Sequence, residues 1–367
     1  MTTKEEIVKI QISRIEKEIR DTPYHKATEH HHGILKAKLA KLQTELAGGS
    51  TSGAGGGGVG YAIRHSGDAS VVLLGFPSVG KSTLLNALTN AESKVGNYDF
   101  TTLGVVPGMM EYKGVRIQIL DLPGIVEGAA ENKGFGKKVL SVVRASDLVI
   151  LMADVRRTFF FEKIEKELYD NGVRVNQRPP KIVIQREMKG SIQVVNPFGG
   201  LSEDTIVDVA KEMGFGNARI IFGEKIDQID LLIDAFMQKQ RRYMPLMKVV
   251  TKLDLANMKE LRNLTPDLVK LSVHTKEGVE DFKERLWYML GKVRVYLRRE
   301  RNGLADKIDP LIMHRGETLD DVLKVLSSEM REDVQKVYIW GNGSKFPGQE
   351  VSFSLAVEDQ MEVWFGR

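Results

Sequence analysis

Residues 75–82 read Gly75-Phe76-Pro77-Ser78-Val79-Gly80-Lys81-Ser82, a G-x-x-x-x-G-K-[ST] phosphate loop. The glycines of such a loop let the backbone curl so that successive N–H groups face phosphate oxygens. Lys81 has the reach for the β and γ phosphates, and the Ser82 hydroxyl is a Mg²⁺ ligand. Before the loop, Val71-Val72-Leu73-Leu74 is the short apolar run of a buried parallel strand. After it, Thr83-Leu84-Leu85-Asn86-Ala87-Leu88 reads as a helix whose N-terminus adds a partial positive charge. Strand, loop and helix in that order mark a nucleoside triphosphate site and set the frame for the chain.

From about residue 67 the pattern alternates strand and helix. Strands are expected at 71–74, 115–120, 148–154, 248–253 and 268–273, which predicts an α/β fold with a doubly wound, mostly parallel sheet. This nucleotide-binding domain is expected in two parts, 67–154 and 245–291. The chain between them is far longer than one crossover and periodic in its own right. Strands near 181–185, 192–195 and 218–222 and helices near 203–213 and 228–238 predict an inserted α+β subdomain over 155–244. Residues 292–367 hold five short strand patterns, at 293–297, 310–314, 334–340, 351–354 and 361–365. One helix at 319–330 lies among them, with Thr318 as its cap and Asp321 three residues on. That order suggests a small β-grasp-like domain.

The first 47 residues predict a helical hairpin. Val8, Ile12, Ile15 and Ile19 recur at steps of four, three and four, as do Leu35, Leu39, Leu42 and Leu46, so two narrow apolar stripes can pack antiparallel across a break at Pro23. Three adjacent histidines, His30, His31 and His32, point in different directions on a helix and cannot converge on one ion. Residues 48–66 are a Gly-rich linker; no Lys-Ser/Thr and no helix follow its glycines, so it is not a second phosphate loop.

A chain of 367 residues implies two to four domains, and 42% hydrophobic with 28% charged residues is a soluble globular composition. No apolar run nears the roughly 20 residues of a membrane span, and residues 1–20 are not signal-like. The absence of cysteine excludes disulfides, thiolate metal sites and thiol chemistry. A cytoplasmic protein that makes no membrane contact is the simplest reading. The net charge of +4 does not by itself imply nucleic acid. Two local runs, Lys239-Gln240-Arg241-Arg242 and Arg294 to Arg301, which contains Arg298-Arg299-Glu300-Arg301, are either solvated faces or contacts to RNA or phosphate.

Four motifs follow the phosphate loop in order. In Phe100-Thr101-Thr102-Leu103 a threonine can close over the nucleotide and complete the Mg²⁺ shell; spacing alone does not choose between Thr101 and Thr102. Asp121-Leu122-Pro123-Gly124 ends an apolar strand. Its carboxylate belongs in the ligand crevice, holding Mg²⁺ through water, and the Gly124 N–H can bond a γ phosphate only while that phosphate exists. Thr251-Lys252-Leu253-Asp254 chooses the base. A carboxylate accepts from guanine N1–H and its 2-amino group, donors adenine lacks at that edge, and the Lys252 stem can cover the base. In Ser272-Val273-His274 a backbone N–H can meet guanine O6.

With these residues together, the sequence resembles the Obg-related GTPases of the translation-factor class, and most closely their developmentally regulated GTP-binding protein branch. The resemblance covers nearly the whole chain. It implies a helical N-terminal region, a Gly-rich linker, an insert like a ribosomal S5 fold and a C-terminal TGS domain, matched at residues 355–363. It also implies Thr102 as the Mg²⁺ ligand, GTP and GDP as ligands, GTP hydrolysis, and a ribosome, RNA or regulatory protein as partner. Gly134-Phe135-Gly136-Lys137 fits the family's mobile second switch. Two departures stand out. Thr251 replaces the usual Asn, which removes the amide's reach. Ile125 and Val126 stand where many GTPases carry a water-orienting Gln, so hydrolysis is expected to be slow until another group, a bound K⁺ or a partner completes the site. Related enzymes bind K⁺ through an Asn in the phosphate loop; the matching position here is Ser78. Two rivals stay open: an ATP-using enzyme and a GTP-ordered scaffold without catalysis.

Overall fold

Seven consecutive buried residues form β1, Ala69–Gly75, and a strand buried on both faces belongs inside a sheet covered by helices. The computed structural model describes residues 4–46, 67–89, 105–122, 136–326 and 334–366. These divide into two units, one of residues 4–46, 136–145 and 159–246, the other of residues 67–89, 105–122, 146–158, 247–326 and 334–366.

In the second unit β1 is central to a six-stranded sheet. The others are β2 (Val106–Tyr112), β3 (Val115–Asp121), β4 (Leu148–Asp154), β10 (Leu246–Thr251) and β11 (Val269–Lys270), in the order β11-β10-β4-β1-β3-β2. β1 runs parallel to β3 and β4, and β10 parallel to β11. The core beneath is aliphatic: Leu73, Ile117, Ile119, Ile150 and Val249 meet Leu84 of α3 (Lys81–Leu88) and Phe282 of the helix Val279–Leu290. The edge strand β2, antiparallel to β3, was not among the expected strands. Its residues Val-Pro-Gly-Met-Met-Glu-Tyr carry Pro107 and Gly108 and only one buried side chain, Met110. Such a sequence lacks the alternation that betrays a half-buried strand, and proline is tolerated only at an edge.

The C-terminal residues of this unit form a mixed five-stranded sheet, β13-β12-β16-β14-β15, built from Lys292–Leu297 (β12), Leu311–His314 (β13), Lys336–Gly341 (β14), Gln349–Val351 (β15) and Met361–Gly366 (β16). The helix Leu319–Leu326 closes one face through Leu319 and Val322. Thr318 and Asp321 cap it reciprocally, with Thr318 N–H donating to Asp321 Oδ2 at 3.0 Å and Asp321 N–H to Thr318 Oγ1 at 3.4 Å. The basic run here divides: Arg294 and Arg298 are paired internally, whereas Arg299 and Arg301 are exposed. Arg294 forms a two-pronged pair with Asp359, and Arg298 binds Glu362 at 2.6 Å while lying over the Trp340 ring.

The first unit joins the helical hairpin to the insert. The helices α1 (Lys4–Asp21) and α2 (Glu29–Leu46) form as expected, but the leucine stripe is not the main buried face of α2. Gly33, Ala37, Ala40 and Thr44 are buried, and Ala37 and Ala40 share a core with Ile206, Val209 and Leu232 of the helices Glu203–Glu212 and Ile229–Phe236. These small residues let the helix axes approach closely; a Cβ on Gly33 would sit 2.9 Å from Val209 Cγ2. The insert's sheet, β6-β8-β7, comprises Ile182–Arg186 (β6), Ile192–Val195 (β7) and Ala218–Phe222 (β8). A parallel two-strand ribbon, β5 (Val173–Val175) with β9 (Arg242–Met244), lies outside it and was too short to read from sequence. Asp234, 1% exposed, receives bonds from both Arg174 and Arg241, so Arg241 is not a surface contact for phosphate. The histidines diverge as expected: His30 meets Asp208, His31 meets Glu18, and His32 meets the Thr22 carbonyl.

The hairpin is pinned by one buried carboxylate. Glu29 Oε1 accepts from the Ser202 N–H at 3.0 Å, the Ser202 hydroxyl at 2.9 Å and the Thr205 hydroxyl at 3.0 Å, at the start of the helix Glu203–Glu212. Burial pushes this carboxyl up, but the bonds from Lys26, Ser202 and Thr205 outweigh it and hold it down at about 2, against an ordinary 4.5. A depressed carboxyl stabilises fully above its unfolded value, and that stability is lost as pH falls through the folded value. Glu29→Ala is expected to cost this unit about 3 kcal/mol at neutral pH. It should also flatten the loss of stability that the unaltered protein shows below about pH 4.5; urea midpoints across pH read both.

Candidate functional site

The phosphate loop leaves the buried end of β1 and turns through two left-handed residues. Ser78 has φ 62° and Gly80 φ 96°. The second is natural for glycine, whereas the first is a conformation that side chains adopt mainly where function demands it. No side chain caps α3 at Gly80, so the helix start keeps its donors for something else. Phe76 and Pro77 are half-buried, Val79 is buried, and Ser82 and Thr83 are exposed. Lys81, only 7% exposed, donates to the carbonyls of Gly75 at 2.9 Å and Phe76 at 3.0 Å. Its ammonium therefore lies along the loop it is expected to serve.

The neighbouring strand β3 brings Asp121 to the loop. Ser82 Oγ donates to Asp121 Oδ2 at 2.6 Å. Asp121 is 1% exposed, and its second oxygen, Oδ1, is buried without a hydrogen-bond partner. A buried carboxylate oxygen left in this way is costly. Beside a serine hydroxyl it has the hard-oxygen chemistry that Mg²⁺ and its waters satisfy. The residues present fit that ion. Leu122 is buried; Phe100, Thr101, Thr102, Pro123, Gly124, Ile125 and Val126 lie outside the described residues.

Thr251 ends β10, 2% exposed. Its hydroxyl donates to the Val79 carbonyl at 2.6 Å, with the Ala153 carbonyl of β4 at 3.3 Å. The shorter side chain still ties the loop that holds Lys252 and Asp254 to the phosphate loop, because the two backbones approach closely enough for a hydroxyl. Lys252 follows in the left-handed region, φ 60°, and Leu253 begins a single 3₁₀ turn to Leu255. Asp254 is exposed, and its Oδ1 accepts from Ser272 Oγ at 2.5 Å. That bond, helped by the Asp254 backbone, His274 and Lys252, holds the Asp254 carboxyl below its usual range against a small desolvation cost. It is therefore the ionised, acceptor-only form at neutral pH.

Ser272 has a role that sequence spacing did not show. Fully buried, it orients Asp254 by its side chain and also receives the Thr275 N–H at 3.3 Å. Val273 packs on the sheet core and His274 is exposed. Among the described residues, then, three contacts gather the scattered motifs: Ser82 to Asp121, Thr251 to Val79 and Ser272 to Asp254. No group of three or more His, Cys, Asp or Glu capable of holding a metal occurs among the described residues, and no described helix is long and apolar enough to cross a membrane.

Comparisons with known proteins agree with this architecture. A family model described as "50S ribosome-binding GTPase" matches residues 70–186, and one described as "C-terminal region of MMR_HSR1 domain" matches residues 189–291. A GTP-binding protein of Halobacterium salinarum is 42% identical, covering 95% of this chain and 96% of that protein. Ribosome-interacting GTPase 1 of Saccharomyces cerevisiae is 38% identical with the same coverage, 95% and 96%. Developmentally-regulated GTP-binding protein 2 of Bos taurus is 37% identical, again over 95% and 96%. At these identities over nearly its full length, the chain belongs to the developmentally regulated GTP-binding protein family of Obg-related GTPases.

Proposed function

We propose that this protein is a nucleotide-state switch that hydrolyses GTP to GDP and phosphate and presents its bound state to a ribosome or RNA. The observation that carries the reading is the Thr251 hydroxyl on the Val79 carbonyl, which couples a base-reading loop to a phosphate loop. The guanine edge meets the ionised Asp254, held in place by Ser272, and a backbone N–H of Ser272-Val273-His274 is offered to guanine O6. The loop N–H groups and the start of α3 take the phosphates. Lys81 leaves the carbonyls of Gly75 and Phe76 for the β and γ oxygens. Ser82 and Thr102 are the residues to hold Mg²⁺, with Asp121 acting through water. When bound, that ion neutralises charge growing between the β and γ phosphates. The Gly124 N–H holds the γ phosphate and releases it after hydrolysis, which is the switch. Ile125 and Val126 offer no hydrogen bond to the attacking water, so intrinsic turnover is slow until a partner or a monovalent cation such as K⁺ completes the site. The ribosomal reading is supported by the yeast relative's name and by the family model's description.

Four measurements test this. Asp254→Asn should lose GTP and gain xanthosine triphosphate in equilibrium binding; unchanged GTP affinity would remove the guanine assignment. Thr251→Val leaves the Val79 carbonyl without its donor and should weaken GDP binding by about 1–2 kcal/mol, whereas Thr251→Ser should stay near the parent. Multiple-turnover phosphate release is expected to be slow, to rise with K⁺ over Na⁺ or with ribosomes, and to vanish in Lys81→Ala. Ribosome co-sedimentation should be stronger with a GTP analogue than with GDP, and equal sedimentation would leave no switch.

A further inference from the structure

The insert's sheet has an unguarded edge. Among the described strands β6 pairs only with β8, and its residues Ile-Val-Ile-Gln-Arg contain no lysine, proline or bulge of the kind with which proteins usually blunt an exposed strand; its one charge, Arg186, lies over the Phe215 ring. Its register decides which backbone groups face outward. Gly223 N–H donates to the Lys181 carbonyl and Glu187 N–H to the Asn217 carbonyl. Alternation along an antiparallel pair then directs residues 183 and 185 to β8 and turns the N–H and C=O groups of Ile184 and Arg186 to the open side.

That side is a groove. A cavity of about 650 Å³ runs between β6 and the helix Ile229–Phe236 with the turn that follows it. Ile184, Met213 and Phe236 line it, along with Phe215, whose ring lies 5.0 Å from Phe236. Lys41, Arg186 and Lys239 are its charged lining, and no carboxylate stands among the described residues lining it, although Lys41 is paired with Glu212 at 3.3 Å. The run Lys239–Arg242 thus divides: Arg241 is committed to Asp234, while Lys239 is exposed at the groove.

We infer that this groove binds an extended, acidic segment of a partner protein, which adds as a strand to the open edge of β6. A strand so placed satisfies the outward groups of Ile184 and Arg186 and drops alternate side chains onto the apolar floor. Its carboxylates meet Lys239 and Arg186. Nucleic acid fits less well. The floor is apolar, and the aromatic faces are already engaged, with the Arg186 guanidinium 4.2 Å from the centre of the Phe215 ring and Phe236 against it. The proposal is independent of the nucleotide reading.

The test uses the full chain and three fluorescent probes: an octapeptide alternating Glu and Val, its Lys–Val counterpart, and a ten-nucleotide oligouridylate. Anisotropy should show binding of the Glu–Val peptide alone. Amide exchange at Ile184 and Arg186 should slow when it binds. Ile184→Pro deletes an outward donor and spares the β8 ladder; Lys239→Glu reverses one rim charge. Each should weaken the peptide at least fivefold and leave guanine-nucleotide binding unchanged. If Ile184→Pro fails to fold, the Lys239→Glu protein decides. No peptide binding, equal binding of the Lys–Val peptide, or protection elsewhere would overturn the proposal. Binding of the oligouridylate that Lys239→Glu abolishes, without peptide binding, would overturn it in favour of nucleic acid.

Discussion

The first turn of an α-helix has N–H groups with no carbonyl four residues behind them, and the nucleotide-binding half of this protein is organised around one such turn. β1 delivers the chain to Gly80 through the interior of the sheet, and no side chain closes the start of α3. Around that positive pole stand groups that are individually ordinary. The carboxylate of Asp121 arrives on β3, the Thr251 hydroxyl on β10, and the Lys81 ammonium folds along the loop. Their value lies in being held by a buried sheet that cannot deform to relax them.

Three buried carboxylates show how differently one functional group is used. Asp234 is saturated by two guanidiniums, so its charge is spent on cohesion. Glu29 is saturated by the Lys26 ammonium, two hydroxyls and one backbone N–H and serves to dock a helix hairpin. Asp121 alone keeps an oxygen without a partner, and it is the one beside the phosphate loop.

Much of this was legible in the sequence because the relevant signals are local. The loop at 75–82, the apolar strands before it and at 148–154, and Asp254 each announce themselves within a few residues. What was not legible depends on partners far along the chain. Nothing around Thr251 says that Val79 will come within reach of a hydroxyl. Nothing around Ser272 says that its side chain, rather than its backbone, positions Asp254. The face that α2 buries was misjudged for the same reason. Leucines at helical spacing outweigh Gly33 and Ala37 in any hydrophobic pattern, yet the small residues permit the closest approach and so define the interface. β2 was missed because an edge strand bearing Pro107 and Gly108 has little periodicity to show.

That small-residue face has a consequence in time. α2 ends at Leu46, and the helices that cover Ala37 and Ala40 are encoded more than 150 residues later, at Glu203–Glu212 and Ile229–Phe236. At a synthesis rate of about 5–20 residues per second, the hairpin is made and then waits roughly ten to forty seconds before its covering surface exists. During that interval the nascent chain carries an unmatched helix face that only the insert can close. An element made before the insert is thus finished only after it.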